Sequence, residues 1–345
     1  MIKIDQQMTD SGVGFGTSGA RGTVEAMTAP VCYAYTRAFL QAMEAQELVN
    51  EGGAIVLAGD LRPSTPGILA AVARAVSDAG YRVSYVGRVP SPALAFHAMQ
   101  LGLPSIMVTG SHIPDDRNGI KFNRPDGEIL KQDEARIRAQ SVTLPEPFPN
   151  ITAEQLPDVD PAATEVYTKR YLDFFPPECL DGWHVGVYEH SGVGRGLLGT
   201  LLEGLGARVM RLARSEVFIP VDTEAIRAED VRLGRQWADE YGFDAIVSTD
   251  GDADRPLIAD ESGSWLRGDI VGVLCARFMG IDSVVTPGGS NTAVEASGWF
   301  RQVYRTRIGS PYVIEQMNRA MADGGAVAGY EANGGFLLQT DVNRD

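Results

Sequence analysis

Cysteine is scarce, with three in 345 residues. Cys32, Cys179 and Cys275 stand far apart without a CxxC pair, which argues against a disulfide framework or a zinc site and for reduced thiols in a cytoplasmic protein. Long apolar runs are missing too; none approaches the roughly 20 residues that a membrane-spanning helix needs. The opening MIKIDQQMTDSG lacks the basic segment of an export leader. Basic residues are outnumbered, 30 against 45 acidic, for a net charge of −15. Such a field repels nucleic-acid phosphates and anionic lipid head groups, so neither nucleic acid nor membrane is an expected partner. It repels phosphorylated small molecules as well, so local cations must overcome it if one of these is the ligand. No GxxxxGK[ST] occurs, which removes a P-loop kinase.

What is present is a globular composition, 44% hydrophobic and 22% charged, long enough for about two or three domains. Short apolar runs alternate with amphipathic segments, the pattern of α/β architecture with mixed, mainly parallel sheets. A strand is expected over 54–59, a helix over 66–80 closed by Gly80, a strand over 81–87, a helix over 92–101 and a strand over 105–110 that ends at Ser111. The Pro-rich, acidic stretch 144–161 reads as a linker. A second set follows, with strands over 184–190, 207–212 and 244–249 and helices from 194 and over 229–241. A third begins at LIADE, with helices over 266–280, from Asn291 and over 311–322. The expected organisation is three consecutive related α/β domains: 1–145, a linker over 146–160, then 161–254 and 255–345.

Four segments carry chemistry. Asp250, Asp252 and Asp254 alternate after a strand, and a tight turn at Gly251 brings their carboxylates to one point. Three carboxylates with open positions suit Mg2+; Arg255 stands where a calcium loop needs glycine, while a phosphatase with an Asp nucleophile stays open. TGSHIPDDRNGIKF (109–122) holds Ser111, whose hydroxyl needs a base, a metal or prior phosphorylation to react. Pairing with its neighbour His112 in the manner of a serine protease is sterically awkward, and no GxSxG surrounds it. A serine that stores phosphate is chemically reasonable, and Lys121 can carry a proton if a neighbouring cation lowers its pKa. GFGTSGARG (14–22) matches GxGxxG without a preceding apolar strand. Residues 194–199 match it after a strand, which keeps an NADP-binding oxidoreductase open, with Arg211 or Arg214 on a ribose phosphate. In GYEANGGF (329–336), alternating Glu331 and Asn333 in an extended loop point the same way and can grip adjacent sugar hydroxyls; a glycine-rich hairpin turn is the plainer alternative.

FGTSGARG, TGSHIPDDRNGIKF, DGDADR and GYEANGGF together resemble, in order and spacing, the four signature loops of the α-D-phosphohexomutase family, in its bacterial phosphomannomutase/phosphoglucomutase branch. The resemblance implies that Ser111 is a phosphoserine and a magnesium ligand, with Asp250, Asp252 and Asp254 completing the set. It implies that Arg255 helps hold the phosphoserine, that Arg21 and His112 line the catalytic centre and that Lys121 carries the proton. Glu331 and Asn333 would read the sugar, and Arg307, Gly309 and Ser310 would orient it. The implied cofactors are Mg2+ and an activating hexose 1,6-bisphosphate; the implied partner is a phosphosugar, and the enzyme would be a monomer or homodimer. Gly110 and Ile113 stand where many relatives have Ala and Asn, and Asn333 where many have Ser. The family's fourth, carboxyl-terminal domain, with its phosphate-binding loop, has no counterpart in this sequence, so a sugar-phosphate binding module without turnover is a further alternative.

Overall fold

The structure, a computed structural model, describes residues 1–16 and 19–342. Three sheets repeat one topology. In the first, Ala54–Gly59 runs parallel to Arg82–Arg88 on one side and to Ser105–Val108 on the other, and Ser105–Val108 turns back antiparallel into Arg117–Arg124. In the second, His184–Tyr188 is flanked in parallel by Arg208–Leu212 and Ala245–Thr249, and the latter pairs antiparallel with Pro256–Ala259. The third repeats this with Ser283–Pro287 beside Gln302–Thr306 and Val327–Tyr330, then Phe336–Leu338. The first sheet is extended by Gly19–Thr23 and Gly14–Phe15.

The central strand of the first repeat is apolar because helices cover it. Ala54–Gly59 is buried at every position, with helices Thr65–Asp78 and Ser91–Leu101 packed on it. The chain leaves this strand towards one neighbour and returns on the other side. Right-handed crossovers then place the two helices on opposite faces and open a crevice at the carboxyl ends of the first and third strands. Each repeat therefore offers the same place for a ligand-binding loop.

The helices and strands expected from periodicity are present within a few residues of their bounds, for example Arg195–Gly204, Ala228–Tyr241 and Ser310–Ala320. Three differences have physical reasons. Residues 256–259, read as the head of the third set, are the antiparallel edge of the second sheet, because the turn at 250–255 reverses the chain directly onto Ala245–Thr249. The helix expected from Asn291 is a single turn, Ala293–Ala296. The 146–160 segment is no free linker. Ile151 and Leu156 pack against the first core, Val159 lies against Gly87, and Asp160 N–H donates to the Tyr85 carbonyl at 2.8 Å.

By compactness the chain forms two units. The first holds residues 1–170 with the short segments 191–194 and 217–220; the second holds the remainder and contains both later sheets. The first unit's core includes Phe39 stacked on Phe122 at 4.7 Å, beneath the strand that carries Lys121. Among the described residues, no helix is long and apolar enough to cross a membrane.

Candidate functional site

In the first unit, Ser111 follows Ser105–Val108 and is 1% exposed, with a left-handed backbone (φ 54°). That conformation costs a non-glycine residue roughly 1–3 kcal/mol and persists only where its surroundings over-determine it. Here they do. Ser111 N–H donates to Thr109 Oγ1 at 2.8 Å, and Thr109 Oγ1 donates to Asp60 Oδ2 at 2.8 Å. On its other side the Ser111 carbonyl accepts from Arg62 Nη2 at 2.8 Å. The positive φ also breaks the alternation of side chains, so Ser111 Oγ and His112 Nδ1 come within 3.3 Å; the steric objection to such an approach between neighbours fails for that reason.

Asp60 and Arg62 were not anticipated. Both are fully buried and paired at 3.1 Å, on the loop after Ala54–Gly59. Burial raises the Asp60 pKa above its ordinary value, against the pull of Arg62 and of hydrogen bonds from Thr65 and Thr109. The available signal was an Asp and an Arg two residues apart at the carboxyl end of a buried strand, which is where open α/β sheets place functional groups.

Arg21 lies opposite Gly119, and Gly19 opposite Lys121, on the antiparallel pair Gly19–Thr23 and Arg117–Arg124. Cross-strand partners share a face, so Arg21 and Lys121 are diagonal neighbours on the side away from Ile120 and Phe122, which are in the core. Gly19 explains part of the glycine-rich loop: a Cβ there would lie 2.0 Å from the Ile120 carbonyl oxygen and 2.7 Å from Lys121 Cα. The loop's Thr17 and Ser18 lie outside the described residues.

In the second unit, Asp250, Asp252 and Asp254 follow Ala245–Thr249, and one carboxylate oxygen of each lies within 4.8 Å of the others. Asp250 and Asp252 are fully buried. Three hard oxygen donors converging in this way fit a divalent cation such as Mg2+. The left-handed residue of the turn is Ala253 (φ 58°), not Gly251, with Ala253 N–H donating to the Asp250 carbonyl at 3.3 Å. Arg255 lies 3.5 Å from Asp254. Burial works against its charge, but the field of Asp254, Asp250, Asp252 and Glu331 prevails and raises its pKa above the ordinary value. His190, on the loop after His184–Tyr188, donates from Nε2 to the Thr249 carbonyl at 2.9 Å, immediately before Asp250.

The third strand-to-strand loop is a hairpin turn rather than an extended segment. Glu331 N–H donates to the Gly335 carbonyl and Gly334 N–H to the Glu331 carbonyl, both at 3.0 Å, because Gly334 (φ 92°) lets the chain reverse. Glu331 Oε1 accepts from Gly309 N–H at 3.1 Å, which joins this turn to the Arg307–Gly309–Ser310 loop ahead of helix Ser310–Ala320. Arg307 is exposed and Ser310 buried. Asn333 Oδ1 accepts from Gly335 N–H at 2.9 Å, and Thr223 Oγ1 donates to the Asn333 carbonyl at 2.6 Å.

The dinucleotide alternative is not favoured. Arg211 is paired with Glu203 at 2.8 Å and with Glu189 at 3.6 Å, and Arg214 with Glu189 at 3.6 Å. Gly199 is small because Arg211 crosses the helix there, where a Cβ would lie 1.6 Å from Nη1. Packing thus accounts for Gly199.

Family models described as phosphoglucomutase/phosphomannomutase, alpha/beta/alpha domains I, II and III, match residues 12–146, 168–263 and 267–345. A phosphomannomutase of Salmonella muenchen is 46% identical over 332 residues, covering 96% of this chain and 68% of that one. A phosphomannomutase of Sinorhizobium fredii is 44% identical over 332 residues, covering 95% and 70%. In fold, the chain is similar to a phosphoglucomutase/phosphomannomutase family protein of Burkholderia thailandensis, with a TM-score of 0.74 at 20% identity, covering 98% and 73%.

Proposed function

The chain belongs to the phosphoglucomutase/phosphomannomutase family, and from that premise we propose that it interconverts hexose 6-phosphate and hexose 1-phosphate, mannose phosphate being favoured, through a phosphoserine at Ser111. Family membership makes it a phosphohexomutase, an intramolecular phosphotransferase. The preference for mannose follows the relatives at 46% and 44% identity. One observation carries the reading of the residues. The same strand-to-strand loop in three repeats bears a buried serine hydroxyl, three converging carboxylates, and a carboxylate with an amide.

The chemistry is a two-step exchange. The P–Oγ bond of phosphorylated Ser111 breaks as a P–O bond forms to the free hydroxyl of the sugar; that hydroxyl's proton leaves through Lys121 Nζ, and Ser111 Oγ ends protonated. The hexose 1,6-bisphosphate so formed turns end for end, and its other phosphoryl group returns to Ser111 with bond changes and proton reversed. Arg21, His112 and Arg255 hold phosphate oxygens. Bound at Asp250, Asp252 and Asp254, Mg2+ supplies neutralisation of charge on the transferring group. Glu331 and Asn333 grip the sugar, and Arg307, Gly309 and Ser310 orient it. Hexose 1,6-bisphosphate primes a serine that has lost its phosphate, and the reaction is set in the cytoplasm.

Intact mass after incubation with glucose 1,6-bisphosphate tests this. One exchangeable phosphate is expected, absent in Ser111→Ala and acquired far more slowly in Asp252→Asn. A wild-type chain that takes up no phosphate would remove the reading. A coupled assay of mannose 1-phosphate against glucose 1-phosphate decides the sugar.

A further inference from the structure

We propose that Arg62, locked by Asp60, is a positioning residue that sets the backbone of the phosphate carrier; this rests on the reading of Ser111 given above. A guanidinium has five N–H donors in a planar fork. Arg62 uses all five. Nε donates to Asp60 Oδ2 at 3.1 Å, Nη1 to the carbonyls of Pro114 (2.7 Å) and Arg117 (3.0 Å), and Nη2 to those of Ser111 (2.8 Å) and Ile113 (2.5 Å). Four carbonyls of residues 111–117, three in the loop and one at the head of the following strand, thus converge on one planar group. Its partner Asp60 reaches the other side of the serine, accepting from Thr109 Oγ1 and, at 3.3 Å, from Gly110 N–H. The Thr109–Gly110 peptide is therefore tied to the carboxylate of the pair and the Ser111–His112 peptide to its guanidinium, while Ser111 N–H reaches Asp60 only through Thr109 Oγ1.

Two details mark this as placement rather than charge supply. The positive charge of Arg62 is matched at 3.1 Å by Asp60, so the pair adds little net field at the hydroxyl. Gly110 has no side chain where one would meet the guanidinium: a Cβ would lie 2.5 Å from Arg62 Cζ and 2.7 Å from Nε. The ring of Phe218, in the same unit, covers the guanidinium at 4.1 Å and keeps it in place. The arrangement holds Ser111 in its left-handed conformation, which an unsupported loop would leave, and so aims Oγ for in-line transfer.

Arg62→Lys is the informative variant. It keeps a charge beside Asp60, so no buried acid is stranded, but it has three donors and cannot span four carbonyls. The full chain is incubated with glucose 1,6-bisphosphate and Ser111 phosphorylation is followed by intact mass, alongside hydrogen exchange of the whole chain. At saturating donor the uptake rate falls about 100-fold, the scale expected for a misplacement of about 1 Å. The donor concentration for half-maximal rate changes less than about 2-fold, since Arg62 holds no part of the sugar in this account. Exchange quickens at residues 109–117 and stays at the wild-type level in the strands. In Arg62→Ala, added methylguanidinium restores uptake in a saturable manner. Wild-type uptake with unchanged exchange in Arg62→Lys overturns the proposal, as does exchange that quickens evenly throughout the unit. A wild-type chain that is never phosphorylated condemns the carrier reading itself; a phosphorylated wild type with an equally fast Arg62→Lys condemns only the role of Arg62.

Discussion

Single residues carry much of the specificity of these loops, and two make the point in opposite ways. Gly110 is defined by what it lacks. Adding a methyl group in Gly110→Ala forces the Arg62 guanidinium out of a packed site, and overpacking of this kind costs about 1–3 kcal/mol. A lower denaturation midpoint together with slower Ser111 phosphorylation is expected; unchanged values of both would mean that the loop yields freely. His190 is defined by its burial, which pushes its pKa down to about 4. The hydrogen bond to Thr249 and the charge of Asp230 pull it up, while Arg227 and Arg195 push it further down. The folded chain therefore keeps His190 neutral between about pH 4 and 6.5, whereas the unfolded chain takes up a proton there. No penalty applies above the unfolded value, and stability falls as the pH drops from about 6.5 towards 4, by on the order of 3 kcal/mol. Denaturant unfolding at pH 7.5 and 5 checks this. The stability of His190→Gln relative to wild type should improve on acidification, and a difference that does not change with pH refutes it.

At the scale of elements, the loops that matter follow the first and third strands of each repeat, and in two repeats the first holds the third. Asp60 binds Thr109 and Gly110, while His190 binds Thr249. Helix Gly268–Phe278 performs a related task for the third loop. A Cβ on Gly268 would lie 2.3 Å from Gly334 N and 2.6 Å from the Ala332 carbonyl oxygen, so the helix start and the turn are in backbone contact. Gly268→Ala must displace backbone that carries Asn333. The KM for phosphosugar is expected to rise about 10-fold, equivalent to about 1.4 kcal/mol, with the rate of Ser111 phosphorylation at saturating glucose 1,6-bisphosphate unaffected. Steady-state kinetics with mannose 1-phosphate checks this, and an unchanged KM in a folded variant would separate the turn from sugar binding. The strands and helices themselves were legible because period-2 and period-3.6 patterns need only neighbours in sequence. The antiparallel edge Pro256–Ala259, and the choice of a hairpin over an extended loop at 331–335, escape such patterns because both depend on where the chain turns back, and Ala253 and Gly334 set those turns.

For the whole molecule, the net charge of −15 opposes every phosphosugar that approaches. Raising ionic strength from 0.01 to 0.15 M shortens the screening length from about 30 to about 8 Å, which weakens that distant repulsion more than the close contacts of a bound phosphate. The value of kcat/KM is therefore expected to rise modestly over this range at constant Mg2+. A steep fall would show that local cations, not the overall field, govern capture. By itself the sequence determined the class of fold, the threefold repetition of strand and helix, and the loops that bear Ser111, the three aspartates and Glu331, since each of these is a local pattern. Only the tertiary structure decided that Asp60 and Arg62 frame Ser111, that Glu331 is bound to Gly309, and that Arg211 and Arg214 are occupied by acids. Those pairs join residues from about 20 to 50 positions apart, and long-range hydrogen bonds of buried charge leave no periodic trace in the chain that makes them.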